Sequence, residues 1–332
     1  MVAWYLSPVL GTPLWLWGVF LAVVLLLVTF DLGILQKKGE EIGVRQSLRL
    51  SAFYITAGLL FGGWVWYNLG ASAAMAYYTG FLIEKSLSLD NIFVISLIFG
   101  YFAVPRALQH RVLFWGIMGV IVLRGVMIGV GAAVVSTYEW TLYIFAAFLI
   151  VTGIRMMLPE KEDAHDMAQN KVLQFLRRHL RVSREMHGEK FFVKATDAKG
   201  RLVWFATPLF LTLCMVEISD VIFAVDSVPA IFSISTDPFL VYTSNIFAIL
   251  GLRALYFALA AVLERFHYLK YSLAAVLVFI GSKVFLGDFV FGGKVPALLS
   301  LLVTFGILAA GVLYSLYRTR RAAPLALENG ST

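Results

Sequence analysis

The run LCMVEISDVIFAVDSVPAIF (Leu213 to Phe232) is apolar enough for a lipid bilayer, yet it holds Glu217, Asp220 and Asp226. A second run, GFLIEKSLSLDNIFV, holds Glu84, Asp90 and Asn91, with Lys85 beside them. Carboxylates and a carboxamide on neighbouring helices can ligate a hard cation, trade protons or pair with cationic side chains. Each charge at the bilayer centre costs roughly 2.5–3.5 kcal/mol, so these acids together would cost about 12–17 kcal/mol. That rivals the stability of a whole domain. They must face an interior cavity and be paired, protonated or metal-bound. Glu217 and Asp220 are three apart and share a helix face. Asp226 lies about 180° from Glu217 and about 240° from Asp220 around a straight helix. Pro229 follows and removes a backbone hydrogen bond. A bend or unwound stretch is therefore predicted near Asp226–Pro229, bringing Asp226 to the others.

Arg124, Arg253 and Lys283 stand in further apolar runs. One reading is an ion-pair network that only holds helices together, each arginine neutralising one acid and Lys85 a third. About two negative charges then stay unmatched, enough for one divalent cation or two protons. That surplus favours a functional site, with Arg124, Arg253 and Lys283 as ion-pair or gating partners. The available ligands are oxygens: the carboxylates, the Asn91 amide, hydroxyls such as Ser86 and Ser219, and backbone carbonyls. Such donors suit Mn²⁺, Mg²⁺ or Ca²⁺. The histidines (110, 165, 179, 187 and 267) all fall in or beside connections, and Cys214 is the single cysteine. Zn²⁺ and Cu⁺ are disfavoured accordingly. Ligand type does not separate Mn²⁺ from Mg²⁺. Asp31, near the inner end of the first apolar run, reads either as an accessory site or as reaching the interface, the latter slightly favoured.

The elements that must carry these residues are membrane helices. The chain has 332 residues, 60% hydrophobic and 14% charged, against about 25% charged in a soluble domain. Nine spans are predicted, at about 14–35, 48–69, 74–101, 111–135, 139–158, 204–232, 239–263, 269–290 and 296–317. Lys and Arg cluster in alternate connections, which places the N-terminus outside and the C-terminus in the cytoplasm. The formal charge of +7 is explained in the same way, and nucleic acid is excluded as a partner. No basic n-region precedes the first span, which is read as retained. The long connection 159–203 falls inside; NKVLQFLRRHLRV within it reads as a basic amphipathic helix, either solvated or lying near anionic lipid headgroups.

Three spans repeat. LDNIFVISL resembles SDVIFAVDS, VIVLRGVMIGVGAAVV resembles AILGLRALYFALAAVL, and YIFAAFLIVTGIRMM resembles YSLAAVLVFIGSKVF. The offsets are 130, 129 and 128, pairing Asp90 with Asp220, Arg124 with Arg253 and Arg155 with Lys283. Three spans per unit invert the second copy, a transporter plan with its site where the copies meet. The fold class is thus an all-α polytopic membrane protein, a single transmembrane domain over 1–332. Its first repeat is about 74–158, its second about 204–290, and three helices lie outside them.

Neither a phosphate-binding glycine loop, nor HExxH, nor a GxGD-like segment of intramembrane aspartyl enzymes is present, so the chain reads as a non-enzyme. GFLIEKSLSLDN, VEISDVIFAVDSVPAIF and SNIFAILGLRALYF resemble the TerC family of integral membrane proteins, and within it the Alx-type manganese exporters. The resemblance spans nearly the whole chain. It implies a bacterial inner-membrane protein that exports Mn²⁺. It also implies a metal site of Glu84, Asp90, Asn91, Glu217, Asp220 and Asp226. Manganese and the export direction rest on that resemblance alone. Protons are plausible exchange partners, because carboxylates shed protons to take metal. The alternative is a membrane scaffold or metal sensor acting through 159–203.

Overall fold

A computed structural model describes residues 8–35, 44–138, 140–157, 171–183, 185–196, 201–259, 269–290 and 295–328. A short pair of strands, β1 (Pro8–Val9) and β2 (Thr12–Pro13), leads into α1 (Leu14–Leu35). Then come α2 (Val44–Leu69), α3 (Ala71–Tyr101), α4 (Arg106–Thr137) and α5 (Thr141–Met157). A small helix α6 (Lys171–His179) and an antiparallel hairpin of β3 (Phe192–Thr196) and β4 (Leu202–Ala206) follow. The chain continues with α7 (Pro208–Phe232), α8 (Pro238–Leu250), α9 (Leu252–Leu259), α10 (Leu269–Val290) and α11 (Ala297–Glu328).

Helices overlap all nine predicted spans. Among the described residues, six helices are long and apolar enough to cross a membrane by length and composition, counting α8 and α9 as one. The apolar stretches of α5 and α10 are shorter, and α3 carries Glu84, Lys85 and Asp90 along its run. The two hairpins make the fold mostly helical rather than all-α. In lipid the helices satisfy their own backbone, and their outer faces need only be apolar. On α4, Val122, Val126 and Val130 are exposed at a four-residue spacing, while Val120, Arg124 and Ile128 are buried on the opposite side. One aromatic core joins α1, α2, α3 and α8 through Phe20, Phe61, Tyr77, Phe239 and Phe247.

Helix α5 crosses α10 at two glycines. A β-carbon on Gly153 would stand 2.7 Å from the Ala274 carbonyl and 2.7 Å from Val278 Cγ2. One on Gly281 would stand 2.5 Å from the Ala146 carbonyl and 2.8 Å from Ile150 Cγ1. Every member of one contact maps on the other by the offset of 128 found in the sequence. Small residues at such crossings let helices touch backbone to backbone.

Three expectations are corrected. First, α7 runs unbroken from Pro208 to Phe232. Pro229 sits in its last turn and leaves the Val225 carbonyl without its helical donor, yet the helix continues to Phe232. The break lies instead in the seventh span, at Gly251 between α8 and α9. There a β-carbon would stand 2.9 Å from Tyr54 Cβ and 3.1 Å from Lys85 Nζ. Second, residues 204–206 belong to β4, and the sixth span starts at Pro208. Thr207 caps it, accepting from Phe210 N at 3.4 Å while donating to the Lys190 carbonyl at 2.8 Å. Third, the connection 159–203 is not simply solvated. Its described part docks: α6 buries Leu173 in a cluster with Ile98, Val112 and Leu209, Leu176 and Phe191 packing beside it. Arg111 pairs with Glu189 at 2.9 Å and lies over the Phe191 ring.

Candidate functional site

Four helices build the site. Gly116 of α4 lies against Val216 of α7, Gly119 against Glu217, Arg124 against Asp220 and Gly131 against Phe232. The pairs ascend together, so α4 and α7 run parallel. On the other side α3 runs parallel to α8, with Gly80 on Ser244, Glu84 bonded to Asn245 and Lys85 bonded to the Ala248 carbonyl. The missing β-carbons bring polar side chains from one helix within reach of the next.

Arg124 is the hub, 1% exposed. Its Nε donates to Asp220 Oδ2 at 3.0 Å and its Nη2 to Asp220 Oδ1 at 2.9 Å, a bidentate grip. Its Nη1 donates to Glu84 Oε1, to Asn245 Oδ1 at 2.7 Å and to Ser227 Oγ at 3.4 Å. The amides brace the acids: Asn245 Nδ2 donates to Glu84 Oε2 at 3.2 Å, and Asn91 Nδ2 to Asp220 Oδ1 at 3.3 Å. Glu84 and Asn245 are fully enclosed.

Of the predicted ligands, the structure brings Glu84, Asn91 and Asp220 into one network and places Glu217 one turn along α7 from Asp220. Glu217 lies against Gly119, and its Oε2 is buried without a hydrogen-bond partner. Asn91 Oδ1 is likewise buried and unpartnered. Asp90 and Asp226 stand on α3 and α7, and their side chains lie outside those described. Among the described residues no three acids, histidines or cysteines converge as a metal cluster. Glu84 and Asp220 instead converge on a guanidinium. A small pocket borders this network, lined by Asn91, Ile117, Ser219, Asp220 and Arg253 among others.

The cations divide differently from expectation. Arg124 takes two acids rather than one. Arg253 takes Asp31, at 2.8 Å, and Asp31 is buried. Lys85 pairs with no acid in the described network but donates at 2.9 Å to the Ala248 carbonyl, which the break at Gly251 frees from α8. Lys283 is buried, donating to Ser300 of α11 at 3.1 Å. Asn245 and Ser227 were missed. The signal for Asn245 was an amide inside the apolar SNIFAIL, which no lipid-facing helix position tolerates cheaply.

A multi-pass helical bundle with ion-paired carboxylates enclosed inside it defines an integral membrane protein. The chain belongs to the TerC family: the model described as "Integral membrane protein TerC family" matches residues 69–323. It is 48% identical over 307 residues to "Putative membrane-bound redox modulator Alx" of Escherichia coli K12, covering 90% of this chain and 92% of that protein. It is 45% identical over 302 residues to an "Uncharacterized membrane protein" of Rickettsia bellii, covering 91% and 97%. No solved structure matches.

Proposed function

We propose that the chain exports divalent metal cations, Mn²⁺ foremost, from the cytoplasm across a bacterial inner membrane. The observation that carries this reading is the surplus of buried carboxylate. Glu84 and Asp220 share one arginine, and Glu217, one turn along α7, has its Oε2 buried without a hydrogen-bond partner. A purely structural network would not leave an acid unsatisfied at such depth. The surrounding donors are oxygens, as hard divalent cations prefer. The reciprocal glycine contact of α5 and α10 supports two inverted repeats, around which nine spans rock to expose the site alternately. Protons released and taken by the carboxylates are the proposed counter-substrate. The redox wording in the relatives' name finds no internal thiol pair here, since Cys214 is the only cysteine.

The test is uptake of Mn²⁺ into inverted vesicles, with Mg²⁺ and Ca²⁺ competing and a pH gradient imposed. Asp220→Asn and Asp90→Asn are expected to lose most of the flux; wild-type flux in both would sink the site. Flux indifferent to the gradient would remove proton exchange. Gly119→Ala is a finer probe, because its β-carbon would overlap the Glu217 carboxylate, whereas Gly116→Ala meets Val216 at an ordinary 3.6 Å. Gly119→Ala is expected to raise the Mn²⁺ concentration for half-maximal flux several-fold, with Gly116→Ala near wild type.

One observation favours a second reading, a scaffold or sensor working through 159–203. The β3–β4 hairpin exposes Phe192, Leu202 and Trp204, with Lys194 over the Trp204 ring at 5.0 Å. Such a face suits a protein partner or a headgroup layer. Leu202→Ala with Trp204→Ala should abolish partner capture and spare flux if this reading holds; unchanged capture would dismiss it.

A further inference from the structure

The described cation ligands are already occupied. Glu84 Oε1, both Asp220 oxygens, Asn245 Oδ1 and Ser227 Oγ are the acceptors of one guanidinium. They come from α3, α7 and α8 and close round Arg124 of α4. An all-oxygen shell with two carboxylates is also what a divalent cation requires. A metal ion and the guanidinium cannot use the same oxygens together, for both geometry and charge.

Among the described side chains the vicinity offers one other acceptor of matching charge. Glu217 is three residues before Asp220 on α7, hence on the same face. Its Oε2 is buried and unpartnered. Helical side chains lean toward their own N-terminus. Because α4 and α7 run parallel, that lean carries Arg124 toward Glu217. The absent β-carbon of Gly119, five residues before Arg124 on α4, is the space in which the Glu217 carboxylate lies. Arg253, which borders the same pocket, is tied to Asp31, and its charge repels a guanidinium moving the other way.

We propose that Arg124 is a built-in competitor for the transported cation, seated between Glu84 and Asp220 in the empty site and shifted onto Glu217 when the ion loads. This rests on the exporter reading and adds its regulation. The empty site then never exposes two bare carboxylates in the bilayer. The ion must displace a tethered cation to enter, and the returning guanidinium helps expel it. Glu217 thereby acts on ion affinity through Arg124 and not as a ligand.

Binding of Mn²⁺ to the full chain in nanodiscs, followed by the loss of its free-ion paramagnetic resonance signal, separates these roles. Arg124→Gln is expected to tighten binding about tenfold and Glu217→Gln to weaken it about tenfold, a typical coupling between linked sites. In the Arg124→Gln background, Glu217→Gln should change nothing further. Free guanidinium ion should compete with Mn²⁺ in Arg124→Gln and not in the wild type. If Arg124→Gln does not fold, Arg124→Lys keeps the charge without the bidentate fork and should bind several-fold tighter than wild type. The proposal is overturned if neither substitution at Arg124 tightens binding, or if Glu217→Gln weakens it equally in both backgrounds, which would make Glu217 a direct ligand. Wild-type flux with either result leaves the exporter reading standing. No Mn²⁺ binding and no flux in any protein removes both.

Discussion

Arg124→Leu is expected to destabilise the metal-free chain by about 3–5 kcal/mol, the usual consequence of removing one partner from a buried ion pair. The leucine loses five hydrogen bonds and leaves Glu84 and Asp220 facing each other without a cation. Glu84 is 1% exposed and Asp220 meets only the small neighbouring pocket, so bulk water does not replace the guanidinium. Thermal unfolding in nanodiscs measures the loss. Adding Glu84→Gln to Arg124→Leu should recover part of it, since one bare charge then remains instead of two. Mn²⁺ should recover stability in Arg124→Leu more than in the wild type, by binding the vacated oxygens and stabilising the folded state by mass action. A variant as stable as wild type without metal would show that the network is hydrated rather than sealed.

The second large effect lies away from the charges. Gly281→Ala and Gly153→Ala are each expected to cost about 3 kcal/mol, at the upper end of ordinary overpacking. The added carbon meets backbone rather than a side-chain tip, the Ala146 carbonyl at 2.5 Å in one case and the Ala274 carbonyl at 2.7 Å in the other. A carbonyl inside a helix cannot turn aside, so α5 and α10 must separate along their crossing. Gly129→Ala, with nothing near its β-carbon, is the neutral control on a neighbouring helix. Once one substitution has separated the helices, the second should cost less, making the pair less than additive. Similar single losses and a strongly sub-additive double would mark one shared two-fold contact. A large loss at only one glycine would show that the contact is not reciprocal in energy.

Much of the bundle was legible from hydropathy because each span is a long apolar run bounded by charged connections. Helix periodicity placed Glu217 and Asp220 on one face, and the structure keeps them there. The offset of 128 predicted which residues of α5 and α10 are equivalent, and those residues touch. The failures share a cause. Pro229 was read as a break because proline removes a helical bond, but only three residues of α7 follow it and they stay helical. Gly251 was not read as a break, because a glycine in an apolar run signals nothing until Tyr54 and Lys85 of other helices press on it. The β3–β4 hairpin went unseen in a segment dominated by charge.

By itself the sequence determined that this is a multi-pass membrane protein and that acids stand inside its apolar helices. It also determined that Glu217 and Asp220 share one helix face. These are properties of a residue and its near neighbours along one helix. Only the tertiary structure decided that Arg124 holds both Glu84 and Asp220, that Asn245 completes the shell, and that Arg253 belongs to Asp31. A helical period tells which way a side chain points on its own axis. It carries no information about which helix stands opposite or at what register, because that depends on glycine crossings and aromatic packing far away in the chain.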